Sequence, residues 1–111
     1  MANCTLNKYF SGGQPQYVGN QKAVRALLNG PNPYVAGGVG IPKLAGVNNI
    51  TKISVCLNSA VYFCVVEVAG TKDKFAYSDV KLIFSTVADG AEAGGIDLSA
   101  VGIRIEVTGT N

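Results

Sequence analysis

Lys52-Ile53-Ser54-Val55-Cys56-Leu57, then Asn58-Ser59-Ala60, then Val61-Tyr62-Phe63-Cys64-Val65-Val66-Glu67-Val68 is the stretch that decides the fold. The first segment alternates, with Ile53, Val55 and Leu57 on one face, and a period of two is the mark of a half-buried strand. Asn58-Ser59-Ala60 reads as a turn. The second segment is almost wholly β-branched or aromatic, the composition strands favour. Its apolar residues fall on both faces, which predicts a central strand covered on both sides. Cys56 and Cys64 have equal parity about Ala60, so a hairpin centred there sets them opposite each other.

The same pattern continues on either side. Downstream, Lys74-Phe75-Ala76-Tyr77 reads as a short strand and Ser78-Asp79 as a break. In the next strand Val80, Leu82 and Phe84 are in register. A loop from Ala88 to Asp97 leads to a closing strand with Ile103, Ile105 and Val107 inward and Arg104, Glu106 and Thr108 outward. Upstream, Gln21 to Leu28 supports two readings. Val24, Leu27 and Leu28 have helical spacing, with Asn20 as N-cap and Gly30 beyond the end, while Val24, Ala26 and Leu28 alternate as a strand does. The surrounding β pattern favours the strand. Pro31 to Gly46 is loop-dominated but apolar enough, with Tyr34, Val35, Val39, Ile41 and Leu44, to pack down over a sheet edge. Six or seven short strands with regular turns predict an all-β protein, a single small β-sandwich or barrel, jelly-roll-like or Ig-like. Residues 1–19 read as an extended N-terminal arm and 20–111 as the β-domain. The arm carries Leu6, Tyr9, Phe10 and Tyr17, the candidate partner-binding residues, which pack either on the chain's own core or on a neighbouring subunit.

Composition narrows the function classes. In 111 residues, 48% are hydrophobic and only 14% charged, against a usual charged share of about 25%. Such a chain fills one core and leaves surface suited to cover by other protein. The nine Lys and Arg are scattered between Lys8 and Arg104, none adjacent, so no basic stripe for nucleic acid is present. No apolar run approaches the roughly 18 residues of a membrane span, and the N-terminus lacks a signal-peptide pattern. A cytoplasmic site of synthesis follows as the expectation. Cys4, Cys56 and Cys64 are odd in number, which in a reducing compartment favours small buried thiols over a disulfide framework.

Catalytic chemistry finds little to work with. The chain has no histidine, the commonest neutral-pH base and metal ligand. The cysteine spacing matches no zinc pattern. Gly37-Gly38-Val39-Gly40-Ile41-Pro42 lacks the third glycine and the following helix of a dinucleotide loop. Asp89, Glu92 and Asp97 lie in one glycine-rich region and read as turn acids. Asp97 has a turn role of its own, since its side-chain oxygen can accept a nearby backbone N–H around Asp97-Leu98-Ser99. No catalytic residue, metal site or cofactor is expected, and the chain reads as a non-enzyme.

The order of turns resembles that of a known group. Gly19-Asn20-Gln21-Lys22 precedes a strand. Pro33-Tyr34-Val35-Ala36-Gly37-Gly38, Ile41-Pro42 and Leu44-Ala45-Gly46 precede the strand at Ile50, and an Ala/Gly loop with Asp97-Leu98-Ser99 opens the terminal strand closing on Gly109. In this the chain resembles the small head decoration or cement proteins of tailed bacteriophages. The resemblance implies a β-sandwich or barrel, a place on the capsid surface of the virion after assembly in the host cytoplasm, and the major capsid protein as partner. A homo-oligomer, with a trimer the expected form, goes with that role, and the scattered charge and short apolar runs leave neither nucleic acid nor membrane as an expected partner. Another virion module (tail, adaptor or fibre component) and a small-ligand or carbohydrate-binding β-module are the alternative readings.

Overall fold

The computed structural model describes residues 4–10, 16–34, 36–44, 46–70 and 73–110. The chain is all-β, in two layers. The first layer contains β1 (Thr5–Tyr9), β2 (Gln16–Val18), β3 (Gln21–Asn29), β4 (Asn49–Asn58) and β7 (Gly102–Thr110). Its order is β1-β3-β7-β4, with β2 also paired to β3. The second layer is the antiparallel pair β5 (Tyr62–Val68) and β6 (Val80–Thr86). A single turn of 3-10 helix, Tyr77–Asp79, leads into β6.

Alternation explains each strand. Val24, Ala26 and Leu28 of β3 are buried, as are Ile103, Ile105 and Val107 of β7 and Val80, Leu82 and Phe84 of β6. Gln21 to Leu28 is therefore strand. Helical spacing would bring Leu27 to the inner face, but pairing with β7 along Lys22–Asn29 makes parity decisive, and Leu27 stays only half-buried. β7 is the centre of its sheet. Between the layers sit Tyr34, Phe84, Leu28, Leu44, Ile50, Leu82 and Leu98, all fully buried. Each contributes about 1.5–3 kcal/mol by leaving water. The loop expected to cover a sheet edge does so: Tyr34, Val39, Ile41 and Leu44 are buried, Val39 bridges Leu82 of β6, and Val35 lies outside the described residues.

The described part of the stretch read as an arm is built into the first sheet. Thr5 to Tyr9 pairs with Asn29 to Ala26, and Gln16 to Val18 with Ala23 to Gln21. β1 and β2 thus lie one after the other along the same edge of β3. The turn from β2 to β3 runs through Gly19 at φ +62°, a left-handed conformation that glycine adopts without steric cost.

On this side the layers are stitched together. The Cys4 N–H donates to the Gly40 carbonyl at 3.2 Å, and Val39 exchanges backbone hydrogen bonds with Leu82 of 3.0 and 2.8 Å. Hydrogen bonding therefore runs from β4 through β7, β3, β1 and the 38–40 segment to β6 and β5. Among the described residues the circuit is open between β5 and β4.

That break corrects two expectations. β5 is an edge strand, not a central one, and its outward Phe63 and Val65 are exposed. Cys56 and Cys64 are not opposed, because β4 pairs with β7 and β5 with β6. The connection between β4 and β5 is a corner that changes layer, held by Ser59 Oγ, which accepts from the N–H groups of Val61 and Tyr62 at 3.1 and 3.2 Å. Lys74 to Tyr77 forms no strand of its own. Phe75 alone bridges Ile50 at the start of β4.

Candidate interaction surface

The aromatic and apolar residues of the N-terminal segment separate into two groups. Tyr9 is half-buried against the core. Phe10 lies on the outer face of the first sheet, its ring centroid 5.4 Å from the Arg104 guanidinium and 5.9 Å from the Lys8 ammonium. It roofs a groove of about 480 Å³ lined by Arg25, Ser54, Cys56, Arg104 and Glu106. Arg25 Nε donates to Glu106 Oε2 there at 2.8 Å, across a directly paired β3–β7 position. Both partners are well exposed, so the pair adds little stability. Tyr9 and Phe10 therefore pack on their own domain. Leu6 and Tyr17 remain open, at 37% and 69% exposure, with the Lys22 ammonium 6.0 Å from the Tyr17 ring.

The two segments that carry the resemblance meet in space. Tyr34 and Ile96 bridge: the Tyr34 N–H donates to the Ile96 carbonyl and the Gly95 N–H to the Tyr34 carbonyl, each at 2.7 Å. The Tyr34 ring packs edge-on to Phe84, centroids 5.3 Å apart. Its hydroxyl donates to Glu92 Oε2 at 2.6 Å and accepts from the Phe84 N–H at 3.2 Å. The Gly37 N–H donates to the same carboxylate oxygen at 2.8 Å. Burial, then the neighbouring Glu92, pushes Tyr34 up to about 12. The Tyr34 hydroxyl and then the Gly37 N–H hold Glu92 below its ordinary value. Glu92 is thus a latch between loops. The sequence places it in a turn, but its partners lie 58 and 55 residues away, a distance that no local pattern spans.

The other acids are turn chemistry. Asp97 Oδ1 accepts the Ser99 N–H at 2.8 Å, as its position predicts. Asp89 accepts from Thr86 Oγ1 and from the Ala91 N–H. Those hydrogen bonds lower both carboxyls. Among the described residues no group of three His, Cys, Asp or Glu could hold a metal ion, and no helix is long and apolar enough to cross a membrane. Of the cysteines expected to be small buried thiols, Cys4 is buried, Cys64 only half-buried, and Cys56 is exposed, because its parity on β4 is opposite to that of the inward Val55 and Leu57. Burial raises Cys4 and Cys64 to about 12, which makes both poor nucleophiles.

The most distinctive surface is one the sequence did not single out. Of the large hydrophobic residues exposed among those described, Val61, Phe63, Val65 and Val87 gather at β5 and its flank. Val61 accepts the Val87 N–H at 2.8 Å, and Val65 pairs with Ile83, so the strip is continuous. The inner side of this edge is also incompletely covered. Ile53, Val55 and Leu57 of β4 and Tyr62, Cys64, Val66 and Val68 of β5 are only half-buried, whereas the inward residues of β3, β6 and β7 are buried. A groove of about 280 Å³ opens at the corner end of this seam, lined by Val55, Leu57, Ser59, Tyr62, Phe63, Cys64 and Val87. The signal in the sequence was the apolar run itself. Its two-faced character reflects one face toward the core and one toward solvent.

No protein-family model, curated protein or solved structure matches this chain.

Proposed function

We propose that this chain is a virion structural protein of a tailed bacteriophage, a decoration or cement protein that binds the outer surface of the major capsid shell and bridges its subunits without covalent bonds. One observation carries the reading beyond the resemblance of its turns. Exposed apolar side chains sit on two separate strand edges: Leu6 and Tyr17 on the β1/β2 edge of the first sheet, and the β5 strip at the free edge of the second. A cement protein needs at least two separated contact surfaces. Modest affinity at each is enough, because linking two sites multiplies the overall affinity. Of the candidate residues, Leu6 and Tyr17 are the ones available to the shell.

The test is co-sedimentation with mature heads that lack the protein. The full chain binds and raises the temperature at which the heads release DNA. Leu6→Ser with Tyr17→Ser stays folded and loses most binding. A full chain that fails to bind heads, or that microscopy of purified particles places at the tail or neck, overturns the decoration reading in favour of another virion module.

A further inference from the structure

We propose that the open seam between β4 and β5 is the interface of a symmetric dimer, and that its occupant is a second copy of this chain. This goes beyond the capsid reading and does not depend on it.

The backbone supplies the first argument. In an antiparallel ladder, residues alternate in the direction of their hydrogen bonds. The bonds from Val87 N–H to Val61 and from Ala69 N–H to Asp79 place the odd-numbered residues of β5 against β6. The N–H and C=O groups of Tyr62, Cys64, Val66 and Val68 therefore point away from β6; the Tyr62 N–H donates to Ser59 Oγ, and the rest have no partner strand among the described residues. In β4, Ile50 exchanges bonds with Phe75, and the register then shifts between Ile50 and Lys52. The outward groups beyond the shift are those of Ile53, Val55 and Leu57. Both free edges belong to one side of the molecule, because the Asn58–Tyr62 corner joins them.

β5 lacks the features that keep edge strands single. Proteins protect free edges with lysine, proline or bulges. β5 has none of these, and its register with β6 is unbroken. β4 and β1 each carry such a feature near one end: Lys52 with the register shift between Ile50 and Lys52, and Lys8 with the shift between Leu6 and Lys8. A regular, apolar, unprotected edge is suited to cover.

The edges are also self-complementary, which selects a second copy as the occupant. Consider a two-fold axis through Val65, normal to the layers. It pairs Tyr62 with Val68 and Cys64 with Val66 of the other copy, so the outward groups of β5 find partners, apart from the Tyr62 N–H, which already donates to Ser59 Oγ. On the outer face Val65 meets Val65, and Phe63 meets Glu67 of the second copy, with no like charges opposed. The same axis brings β4 toward β4. Pairing about Val55 satisfies Ile53, Val55 and Leu57, and Lys52 meets Asn58. The half-buried inner rows of the two copies then form one continuous core. The contact is about 24 Å long at 3.4 Å per residue and about 20 Å deep across two layers. It covers roughly 500 Å² per copy, which reaches the ~1,000 Å² total of a specific interface.

Sedimentation velocity on the full chain over a dilution series tests this, with circular dichroism confirming that each variant is folded. The chain is expected to be a concentration-dependent dimer. Val65→Lys opposes like charges at the axis and weakens association about tenfold. Phe63→Glu, set against Glu67, weakens it more than Phe63→Lys does, an ordering that loss of apolar area alone would not produce. In a Cys56→Ser, Cys64→Ser background, Val65→Cys cross-links on mild oxidation, because opposed residues lie within disulfide range, and Glu67→Cys does not. A monomer or trimer at every concentration overturns the proposal, as does a dimer that Val65→Lys leaves intact. Heads distinguish the two readings. A monomer that binds heads through β5 removes the dimer and keeps the capsid role, whereas a dimer that ignores heads does the reverse.

Discussion

Replacing Tyr34 with phenylalanine isolates the latch between the two glycine-rich segments. The ring stays, with its edge-on contact to Phe84 at 5.3 Å. Only the hydroxyl is lost. That oxygen accepts the Phe84 N–H at 3.2 Å, standing in for the strand carbonyl that would otherwise continue the ladder beyond β6. Phe84 is fully buried, so its N–H is left without an acceptor and cannot turn to water. Orphaning a buried backbone donor costs about 1–3 kcal/mol. At ~4 °C per kcal/mol for a domain of this size, a cost near 2 kcal/mol lowers Tm by about 8 °C. Urea denaturation should show a lower midpoint with an unchanged slope. The pH dependence provides a second readout. Tyr34 is raised from 10.0 to about 12, so its contribution is complete below pH 10 and is lost as pH rises through about 12. Cys4 and Cys64, raised from 9.0 to about 12, lose stability in the same direction from a lower starting point. Glu92 is lowered from 4.5, so its share is present above that value and is lost as pH falls through its folded value. Tyr34→Phe should flatten both the acid and the alkaline limbs. A variant that melts within about 1 °C of the parent, with both limbs unchanged, refutes the latch.

Two further outcomes follow from the packing. A Cβ on Gly109 would lie 1.8 Å from the Asn49 carbonyl oxygen and 3.0 Å from Ile50 Cα, where β4 shifts register against β7. Gly109→Ala must displace backbone and should cost more than about 3 kcal/mol, read as lost soluble yield or a collapsed urea midpoint; near-native stability would mean that the close approach is not there. Native-state thiol labelling should mark Cys56 quickly, Cys64 slowly and Cys4 only on unfolding, in line with their exposures. A Cys56–Cys64 disulfide appearing in the folded monomer would contradict the placement of the two residues in separate sheets.

Period-two alternation made most of the fold legible. Ile53, Val55, Leu57, Val80, Leu82, Phe84, Ile103, Ile105 and Val107 all face inward as their parity requires. The Asp97 turn was legible too, because its acceptor and donor lie two residues apart. What the sequence hid were relations without a local period. The Tyr34–Glu92 contact joins two loops, and a hydroxyl reaching a carboxylate 58 residues away leaves no spacing to read. The pairing of β1 and β2 with β3 was obscured because a bulge interrupts the alternation of the first segment. Exposure on the outer face of β5 was invisible for a different reason. Val61, Phe63 and Val65 are as apolar as core residues, and composition alone does not say which side water occupies.

The seam itself follows from Glu67 and from the short link Ser59-Ala60-Val61. A hairpin centred on Ala60 would set Cys56 against Cys64 and, in the same register, Ile53, Val55 and Leu57 against Glu67, Val65 and Phe63. Opposed residues share a face, so the inner row of β4 would carry Glu67 into the core, where an unpaired carboxylate is costly. Shifting by one residue repairs the faces, pairing Ile53 with Val68, Val55 with Val66 and Leu57 with Cys64. The loop is then Ala60-Val61, and two-residue hairpin loops need left-handed φ at positions usually held by Gly, Asn or Asp. A β-branched valine is a poor candidate there. Neither hairpin is favourable, so the chain turns a corner at Ser59 and carries β5 into the other layer. There Tyr62, Cys64, Val66 and Val68 face the row Ile53, Val55 and Leu57 across the core, and Glu67 stays in water beside Lys81, its cross-strand partner on β6. The open edge is thus built into the pattern of side chains: direct pairing of β4 with β5 would either bury that charge or force Val61 into a left-handed turn.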